Sequence, residues 1–487
     1  MIRQVGHFLF APGVMALTAL PYCLFEENNA TFTAFAATAA ICLTVAALLQ
    51  LIPARKNQKT YTAMATVALV WLLMGVVCGL PLYLTAQLSP AGSEAARTYG
   101  TFINAFFEGM SGVTSCGLTL SARPDLLPSA IQWWRSLCEW VGGVGVVVLM
   151  LLLIEPAEHN YTFYRAEARQ WRLKQTSLRH TAGRIWTIFA GLTVLSVIAL
   201  HSTGAPWWEA VNHGMTAIAT GGFTIRADSF QQVEAAVRFC AMLFMVLGVV
   251  SFRSYSRLLY DRVPPWRHAT QIRWLAALLL AGGAAVVAVT RIEPHEVPIE
   301  RALFQWVSAL GTCGFSAVDL SGWGPAALVL LMLGMIVGGA SGSTTGGIKI
   351  ARVVWLCKNS VKHLQNRMRD SDTLESYRFN GQSVSSQEAI KRIRYAALLA
   401  GLWVVALTTG WLVMLLALPR ATPVHLLFEC ASALGSVGLS TGITEAQMPA
   451  AAKLCLTMLM WLGRLEIISA VMLLTLPITA LRRAKRP

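Results

Sequence analysis

The sequence predicts an all-α polytopic membrane protein of about ten transmembrane helices, arranged as an N-terminal helix pair followed by four pseudo-repeated units. Three observations predict this fold class. Of the 487 residues, 55% are hydrophobic and only 13% are charged, about half the charged fraction of a typical soluble domain. Ten apolar stretches are each long enough to cross a hydrocarbon core about 30 Å thick as a helix. Between some of them lie four short apolar segments that resemble one another.

The ten apolar stretches set the order of the helices. The first is preceded by Arg3 and contains Pro12 and Pro21. Because it lacks an A-x-A cleavage site and is followed at once by a second stretch, we interpret it as a retained helix and not as a signal peptide. The stretches begin near residues 7, 32, 61, 133, 183, 235, 272, 325, 394 and 452.

The basic residues are distributed unevenly between the loops. The chain has 39 Lys and Arg against 24 Asp and Glu, a net charge of +15. If the N-terminus is cytoplasmic, the segments on that face hold 28 of the 39 basic and 8 of the 24 acidic residues, a net +20, and the rest of the chain carries −5. This positive-inside pattern predicts that both termini are cytoplasmic. The longest of these segments, 352–394, mixes both signs of charge and also suits the docking of a cytosolic partner.

Composition and spacing exclude other classes of protein. A nucleic-acid-binding protein would carry its basic residues on a polar domain, and the sequence has none of useful size, so we expect no nucleic-acid partner. The ten cysteines include no C-x-x-C pair and lie mostly in apolar stretches. This argues against a disulfide framework and against a zinc site. The partner that remains for most of the surface is the lipid bilayer.

The four short segments share a pattern of small polar residues around a glycine. Each has Ser or Thr six residues and two residues before the glycine, Phe or Leu directly after it, and Ser or Thr after that. In three copies a proline lies 15 or 16 residues before the glycine, where it suits the first turn of a helix. The copies span residues 107–119, 212–224, 304–316 and 428–440, aligned on Gly117, Gly222, Gly314 and Gly438.

Each segment is too short to cross the bilayer, so it predicts a half-helix of about 10 to 12 residues, an extended stretch and a return. Irregular backbone at this depth must be buried in protein or line water. The negative end of each half-helix points at the extended stretch and attracts cations. The chain then divides into a helix pair at 1–60 and four helix–pore-loop–helix units, at 61–155, 183–260, 270–350 and 391–480, around a central pore.

The extended stretches are the candidate selectivity filter, in which backbone carbonyls would replace the hydration shell of a cation. One such segment alone would also suit an ordinary turn between helices, but four copies in register favour a filter. The four sequences differ and contain no T-V-G-Y-G run, which predicts loose discrimination between ions. The candidate residues are Thr114, Ser115, Cys116, Gly117, Ala219, Thr220, Gly221, Gly222, Gly311, Thr312, Cys313, Gly314, Gly435, Ser436, Val437 and Gly438.

A glycine-rich stretch interrupts the apolar run that begins near Pro325. Five glycines within ten residues make an unbroken helix costly, and irregular backbone in the membrane should lie in or beside the ion path. A glycine surface for helix packing is the alternative. A phosphate-binding loop is excluded because no G-K-[ST] follows the glycines. The residues of this candidate gate are Gly338, Gly339, Gly342, Ser343, Thr344, Gly346 and Gly347.

Several charged residues are expected to act near the ion path. Arg464 lies in the middle of the last apolar stretch, where an unpaired charge is costly. We expect it, together with Lys349, to place positive charge beneath the filter; the alternative is a structural hydrogen-bond network around Arg464. Acids near the outer mouth should concentrate cations there, except that Glu209 and Glu300, each within the first turn after a proline, are expected instead to stabilise helix N-termini. The acids near the mouth are Glu108, Glu209, Asp228, Glu300, Asp319 and Glu429.

Three further motifs carry a family resemblance over nearly the whole chain. They are W-V-G-G-V-G at 140–145, G-G-A-S-G-S-T-T-G-G-I-K at 338–349 and G-R-L-E at 463–466. With the four glycine segments, they resemble the Trk/Ktr/HKT superfamily of potassium transporters. The G-R-L-E motif and the extra N-terminal helix pair resemble the Trk-type membrane subunit more than the Ktr type.

The resemblance implies a K⁺ uptake subunit of the bacterial inner membrane, with K⁺ as the transported ion held by the filter carbonyls. It implies that the glycine-rich stretch is an intramembrane gate. It also implies a homodimer and a cytosolic TrkA-type regulatory subunit that binds NAD or another nucleotide, so that any nucleotide is bound by that partner. Glycine at all four key filter positions looks like the K⁺ type and not the Na⁺ type of the superfamily.

The sequence leaves two alternative functions. An H⁺- or Na⁺-coupled K⁺ symporter of the same fold, as in Ktr-like systems, would need buried carboxylates on the path, and the candidates are Glu139 and Glu466. An intramembrane serine protease is disfavoured. The G-x-S-G pattern occurs at 339–342 but also at 109–112, and no histidine lies mid-span after Ser341 to serve as its base.

Overall fold

The computed structural model describes residues 2–52, 60–149, 171–262, 270–293, 297–369, 377–379, 382–465 and 467–475. These ranges are helical and irregular, apart from a short antiparallel hairpin of β1 Tyr377–Phe379 and β2 Gln382–Val384, in which Tyr377 pairs with Val384. The predicted all-α class is confirmed, and this hairpin is the only sheet in the described part of the chain.

The helices are most easily followed in the order of the predicted units. The N-terminal pair is α1 Ile2–Phe25 and α2 Asn29–Gln50. The next helices are α3 Thr60–Leu88, α4 Glu94–Tyr99, α5 Phe102–Val113 and α6 Ser129–Leu149, then α7 Trp171–Ser202, α8 Trp207–Ala219, α9 Ala235–Val249 and α10 Phe252–Tyr260. They are followed by α11 Thr270–Ile292, α12 Ile299–Leu310, α13 Pro325–Val337 and α14 Ile350–Arg369, and finally by α15 Ser386–Ala417, α16 Pro423–Gly435, α17 Ala450–Arg464 and α18 Ile468–Thr475.

Six described helices are long and apolar enough to cross a membrane, and the number rises to eight if each bent helix pair is one span. One of these pairs is α9 and α10, which meet at 86°. The other is α17 with α18. The two remaining apolar stretches of the sequence form α6 and the 13-residue α13. All ten predicted stretches are therefore helical, but several end early because the chain breaks where it reaches the candidate ion pathway.

Four short helices of 12 or 13 residues, α5, α8, α12 and α16, occupy the four repeated segments. We call them the half-helices. Pro206 and Pro298 precede α8 and α12, and Pro423 is the first residue of α16. The first copy has no proline there, and the hydroxyl of Thr101 instead accepts a hydrogen bond from the Asn104 N–H at 3.4 Å. Each half-helix thus begins with a local signal that the sequence encodes.

The half-helices lie inside the molecule and the long helices surround them. Every residue of α5 from Asn104 to Val113 is buried, as is every residue of α16 from Phe428 to Gly435. The long helices instead expose large apolar side chains on their outer faces, including Leu195, Ile198, Leu280, Leu412 and Leu416. This is the distribution expected where the surroundings are hydrocarbon and the polar backbone is shielded within.

Candidate ion pathway

All four half-helices end with the same backbone geometry. In each, a Ser or Thr follows in the left-handed conformation, with φ of 47°, 49°, 48° and 49° at Ser115, Thr220, Thr312 and Ser436. The next N–H donates to the carbonyl five residues earlier, at 2.8 Å in the first copy and 2.9 Å in the other three. This is a Schellman-type helix end, but a left-handed conformation costs a non-glycine residue about 1 kcal/mol or more. The same strained Ser or Thr occurs in all four copies, and in the first three its hydroxyl makes a hydrogen bond.

The four key glycines come together in a ring. Gly117, Gly222, Gly314 and Gly438 all have positive φ, at 86°, 108°, 75° and 95°. A Cβ built on any of these glycines would collide with the carbonyl oxygen of the residue that precedes the glycine of the next copy. The distances are 2.2 Å from Gly117 to Gly221 O, 2.7 Å from Gly222 to Cys313 O, 2.4 Å from Gly314 to Val437 O and 2.3 Å from Gly438 to Cys116 O. The contacts run from the first copy to the fourth and back to the first. The four strands therefore surround one axis, and both backbone angle and space require glycine.

A buried polar residue of each half-helix holds the strand that leaves the ring. In every copy it lies nine residues before the glycine and accepts a hydrogen bond from the N–H three residues after the glycine. The four donor–acceptor pairs are Leu120 N to Glu108 at 3.0 Å, Ile225 N to His213 at 3.4 Å, Ala317 N to Gln305 at 3.2 Å and Thr441 N to Glu429 at 2.7 Å. We call these four acceptors the strand braces. The sequence did not predict this role for any of the four, although they share one fixed offset, a Glu, His or Gln nine residues before each glycine.

Two of the acids expected at the outer mouth are in fact strand braces. Glu108 is 1% exposed and its carboxylate pairs with Arg135 at 2.9 Å. Glu429 is fully buried and accepts hydrogen bonds from the hydroxyls of Ser440, Thr441 and Thr444. The expectation that these two concentrate cations at an open mouth is wrong, because the sequence alone cannot distinguish a buried acid on a half-helix from an exposed one.

Three of the other acids expected at the mouth lie closer to the surface and are each paired with an arginine. Glu209 and Asp228 both contact Arg226, at 3.3 Å and 3.1 Å, and Glu300 contacts Arg238 at 2.6 Å. The two arginines offset part of the field that these three carboxylates would otherwise apply to an approaching cation. The sixth, Asp319, is exposed and accepts a hydrogen bond from the Ser321 N–H at 2.9 Å.

The glycine-rich stretch, residues 338–349, forms an irregular loop directly against the inner ends of the half-helices. We call it the glycine loop. Helix α13 ends at Val337 and Gly338 takes φ of 66°, which excludes the alternative of a glycine surface on a continuous helix. The chain then doubles back, since Ile348 N donates to Ile336 O at 2.8 Å and Lys349 N to Val337 O at 3.0 Å. The loop is thereby fixed to its own helix at both ends.

The glycine loop contacts three copies of the ring from one side. Gly346 N donates to Thr312 Oγ1 at 2.8 Å, and Thr220 Oγ1 donates to Thr344 Oγ1 at 3.1 Å. A Cβ on Gly346 would lie 1.7 Å from Gly435 O. The hydroxyls of the strained left-handed residues in the second and third copies are thus the groups that meet the loop. Ser436 Oγ of the fourth copy is buried and has no hydrogen-bond partner in the described part of the chain.

Arg464, at the end of α17, connects the glycine loop to the first copy. It is 2% exposed, and its guanidinium donates to Thr344 O at 2.8 Å, to Ser115 Oγ at 3.2 Å and to Gly142 O at 3.2 Å. Arg464 thus lies in a buried hydrogen-bond network that joins α17 to the glycine loop, the end of the first half-helix and α6. A role of its charge in the ion path stays a prediction. Lys349 is buried as well, but its ammonium donates to Thr345 O within the loop itself.

The motif at 140–145 lets α6 pack against two half-helix ends. A Cβ on Gly142 would lie 2.1 Å from Val113 O, and one on Gly143 would lie 3.1 Å from Ala219 Cβ. One turn earlier on α6, Glu139 is fully buried, and its carboxylate accepts a hydrogen bond from the Phe223 N–H. Of the two acids weighed for ion coupling, Glu139 thus lies behind the second strand, and Glu466 lies outside the described residues.

The oxygen atoms near the ring are those of the backbone, of hydroxyls and of buried carboxylates. In the described ranges no group of three His, Cys, Asp or Glu is placed to hold a metal ion.

The chain is similar to known cation transport proteins over nearly its whole length. The model of the cation transport protein family TrkH matches residues 31–280 and 269–481. An uncharacterized cation transporter of Methanocaldococcus jannaschii is 28% identical over 100% of this chain and 96% of its own length. The Trk system potassium uptake protein TrkH of Halomonas elongata is 29% identical over 87% of this chain and 86% of its own.

The crystal structure of the potassium transporter TrkH from Vibrio parahaemolyticus has the same fold. It superposes with a TM-score of 0.84 over 98% of both chains, at 22% sequence identity. Together with the apolar helices, these findings make the chain a multi-pass membrane protein. The family match and the relatives also confirm that it is an ion transporter and not an enzyme. On the family match, which covers nearly all of its length, the chain belongs to the TrkH family of cation transport proteins.

Proposed function

We propose that the protein takes up K⁺ through a channel-like pore whose selectivity filter is the ring of four glycine strands. The observation that carries this proposal is the closed contact series from Gly117 to Gly438 and back. Four half-helices point their negative ends at this ring, an arrangement that stabilises a dehydrated cation. The choice of K⁺ rests on relatives that are named potassium uptake proteins.

The glycine loop is the proposed gate of this pore, in the closed state. It lies against the ring at Thr220, Thr312 and Gly435. Thr344 is its central residue, because its hydroxyl meets Thr220 and its carbonyl accepts from Arg464. Opening the pore then requires these contacts to break together, and a buried guanidinium beneath the ring opposes cation passage until they do.

The remaining elements of the proposal concern assembly and placement. The four helix–pore-loop–helix units are taken as 61–155, 183–260, 270–350 and 391–480, after the pair at 1–60. The basic segments support cytoplasmic termini, in the inner membrane of a bacterium. A homodimer and a cytosolic nucleotide-binding subunit of the TrkA type complete the proposed system, and nucleotide would act on the gate through that partner.

The experiment that tests this function is cation flux in proteoliposomes. ⁸⁶Rb⁺ uptake by the purified protein should follow the membrane potential alone and should be competed by K⁺ more strongly than by Na⁺. Uptake that requires an inward H⁺ or Na⁺ gradient would instead establish the coupled symporter. Because the proposed gate is closed in this structure, Gly346→Ala, in which the loop cannot lie against Gly435, is measured beside the wild type. If both proteins retain their fold and neither shows cation flux under any of these gradients, the proposal is contradicted.

A further inference from the structure

The second filter strand differs from the other three in what lies behind it. The residue before the ring glycine is Cys116, Cys313 or Val437 in three copies, and each of these side chains is fully buried. In the second copy the same position is Gly221. Its φ is not in the left-handed region, so its backbone would accept a side chain. In three strands the residue before the ring glycine thus has a buried side chain, and in the second strand it has none.

The carboxylate of Glu139 fills the space that Gly221 leaves. A Cβ built on Gly221 would lie 2.2 Å from Glu139 Oε2 and 2.4 Å from its Cδ. Both carboxylate oxygens lie 3.1 Å from the Phe223 N–H, and Glu139 has no exposed surface. The side chain reaches this position because α6 packs closely against both half-helix ends. Glu139 and Gly221 are therefore a matched pair, because the Glu139 side chain leaves no room for a side chain at position 221.

The hydrogen bond from Phe223 has a direct electronic consequence at the ring. The Phe223 N–H and the Gly222 carbonyl belong to one peptide group. Donation of an N–H to a carboxylate polarises that peptide group and makes its carbonyl oxygen a stronger acceptor. The same bond fixes the plane of the peptide, and so the direction of the carbonyl. The side chains of Cys116, Cys313 and Val437 offer no carboxylate for this purpose in the other copies.

We propose that Glu139 is a specificity-determining positioning residue, which fills the space beside Gly221 and polarises the Gly222 peptide so that one strand of the ring binds a dehydrated cation more strongly than the other three. This inference rests on the proposed filter and goes beyond it, because it assigns unequal roles to the four strands. Glu139 acts through the peptide and does not itself contact the ion.

Four variants separate charge from packing. Glu139→Gln keeps the volume and one acceptor oxygen but removes the carboxylate. We expect a folded protein whose K⁺ over Na⁺ preference, measured by competition of ⁸⁶Rb⁺ uptake, falls severalfold, because a neutral acceptor polarises the Gly222 peptide less than a carboxylate does. Glu139→Ala should lower the preference further.

Gly221→Cys alone should abolish uptake, since the new Cβ collides with Glu139. The double variant Glu139→Ala with Gly221→Cys copies the first and third strands, and it should recover folding and uptake but not the wild-type preference.

A ring variant, Gly314→Ser, serves as the control that separates the two proposals. If Gly314→Ser alters ion preference while Glu139→Gln has wild-type preference and wild-type half-saturation by K⁺, the role of Glu139 is overturned and the filter stands. Normal uptake by Gly221→Cys would equally overturn the pairing. If neither Gly314→Ser nor Glu139→Gln changes the preference, or if neither the wild type nor Gly346→Ala conducts a cation, the proposed function itself fails. Monodisperse elution in detergent identifies variants that fail to fold, and the double variant then carries the test of the pairing.

Discussion

Single hydroxyls at strained positions connect the proposed filter to the proposed gate. Thr312 takes a left-handed conformation that ordinarily favours glycine or asparagine, and its Oγ1 accepts the Gly346 N–H. A glycine at position 312 would remove the strain and also the contact. The strained residue is therefore explained by the hydrogen bond it makes to the loop, and the same reasoning applies to Thr220 and its bond to Thr344.

Replacing Thr312 by valine should loosen the gate. The side chains have nearly the same shape, but valine leaves the buried Gly346 N–H without an acceptor, at a cost of about 1–3 kcal/mol to the closed state. We expect unregulated ⁸⁶Rb⁺ uptake to rise severalfold, while Thr312→Ser retains wild-type uptake. Ser436→Ala is the matched control, since the Ser436 hydroxyl has no partner in the described part of the chain. Equal uptake by Thr312→Val and Ser436→Ala would contradict the role of this bond.

The strand braces make a second prediction, about stability. Glu108→Gln leaves the Arg135 guanidinium, with a side chain only 2% exposed, without a counter-charge, which should cost about 3 kcal/mol. We expect a lower thermal unfolding midpoint in detergent. Arg123 and Asp125 form an ion pair at 2.8 Å that is open to solvent, so Asp125→Asn should leave the midpoint almost unchanged. A similar small shift in both variants would show that Glu108 is not a structural brace.

Close backbone packing positions the half-helices and the glycine loop. A Cβ on Gly463 would lie 1.8 Å from Leu434 O, and one on Gly142 would lie 2.1 Å from Val113 O. In both cases a glycine of a long helix meets a carbonyl in the last turn of a half-helix. The loop makes the same kind of contact through Gly346 and Gly435. The family motifs thus contain glycine where two backbones touch, which no side chain allows.

Gly346→Ala should therefore displace the loop without unfolding the helices. The new methyl group would lie 1.7 Å from Gly435 O, so the loop cannot remain seated against the fourth half-helix. We expect higher basal ⁸⁶Rb⁺ uptake and faster protease cleavage within residues 338–349. Gly401→Ala in α15 is the control, because nothing lies within 4 Å of a Cβ at Gly401. Unchanged uptake and cleavage for Gly346→Ala would rule out the seated loop as the closed gate.

At the scale of the whole molecule, the sequence predicted the features that depend on neighbouring residues and did not predict the contacts between remote segments. The apolar stretches, the prolines at half-helix starts and the break after Val337 follow from local chemistry, and a resemblance between distant segments identified the four aligned glycines. The closure of the ring is different, because Gly438 meets Gly117 from the other end of the chain. Packing between remote segments also produces three other features: the burial of Glu108, the pairing of Glu139 with Gly221, and the contacts of Thr344 with Thr220 and Arg464. Sequence spacing carries the pattern of each copy but not the depth of a residue or its neighbour from another copy.

Orientation in the membrane is the last property of the whole molecule that the charge pattern predicts. Cys357 lies on α14, in the basic segment 352–394, and its side chain is exposed. Cys240 and Cys455 are partly buried within α9 and α17, and the other seven cysteines are buried. If that segment is cytoplasmic, a membrane-impermeant maleimide should label the protein in inside-out vesicles and not in right-side-out cells. Cys357→Ser should abolish the labelling, which assigns it to this thiol. Labelling of intact cells that disappears in Cys357→Ser would show the opposite topology. An entering ion would then meet the glycine loop before the ring, and not the ring before the loop.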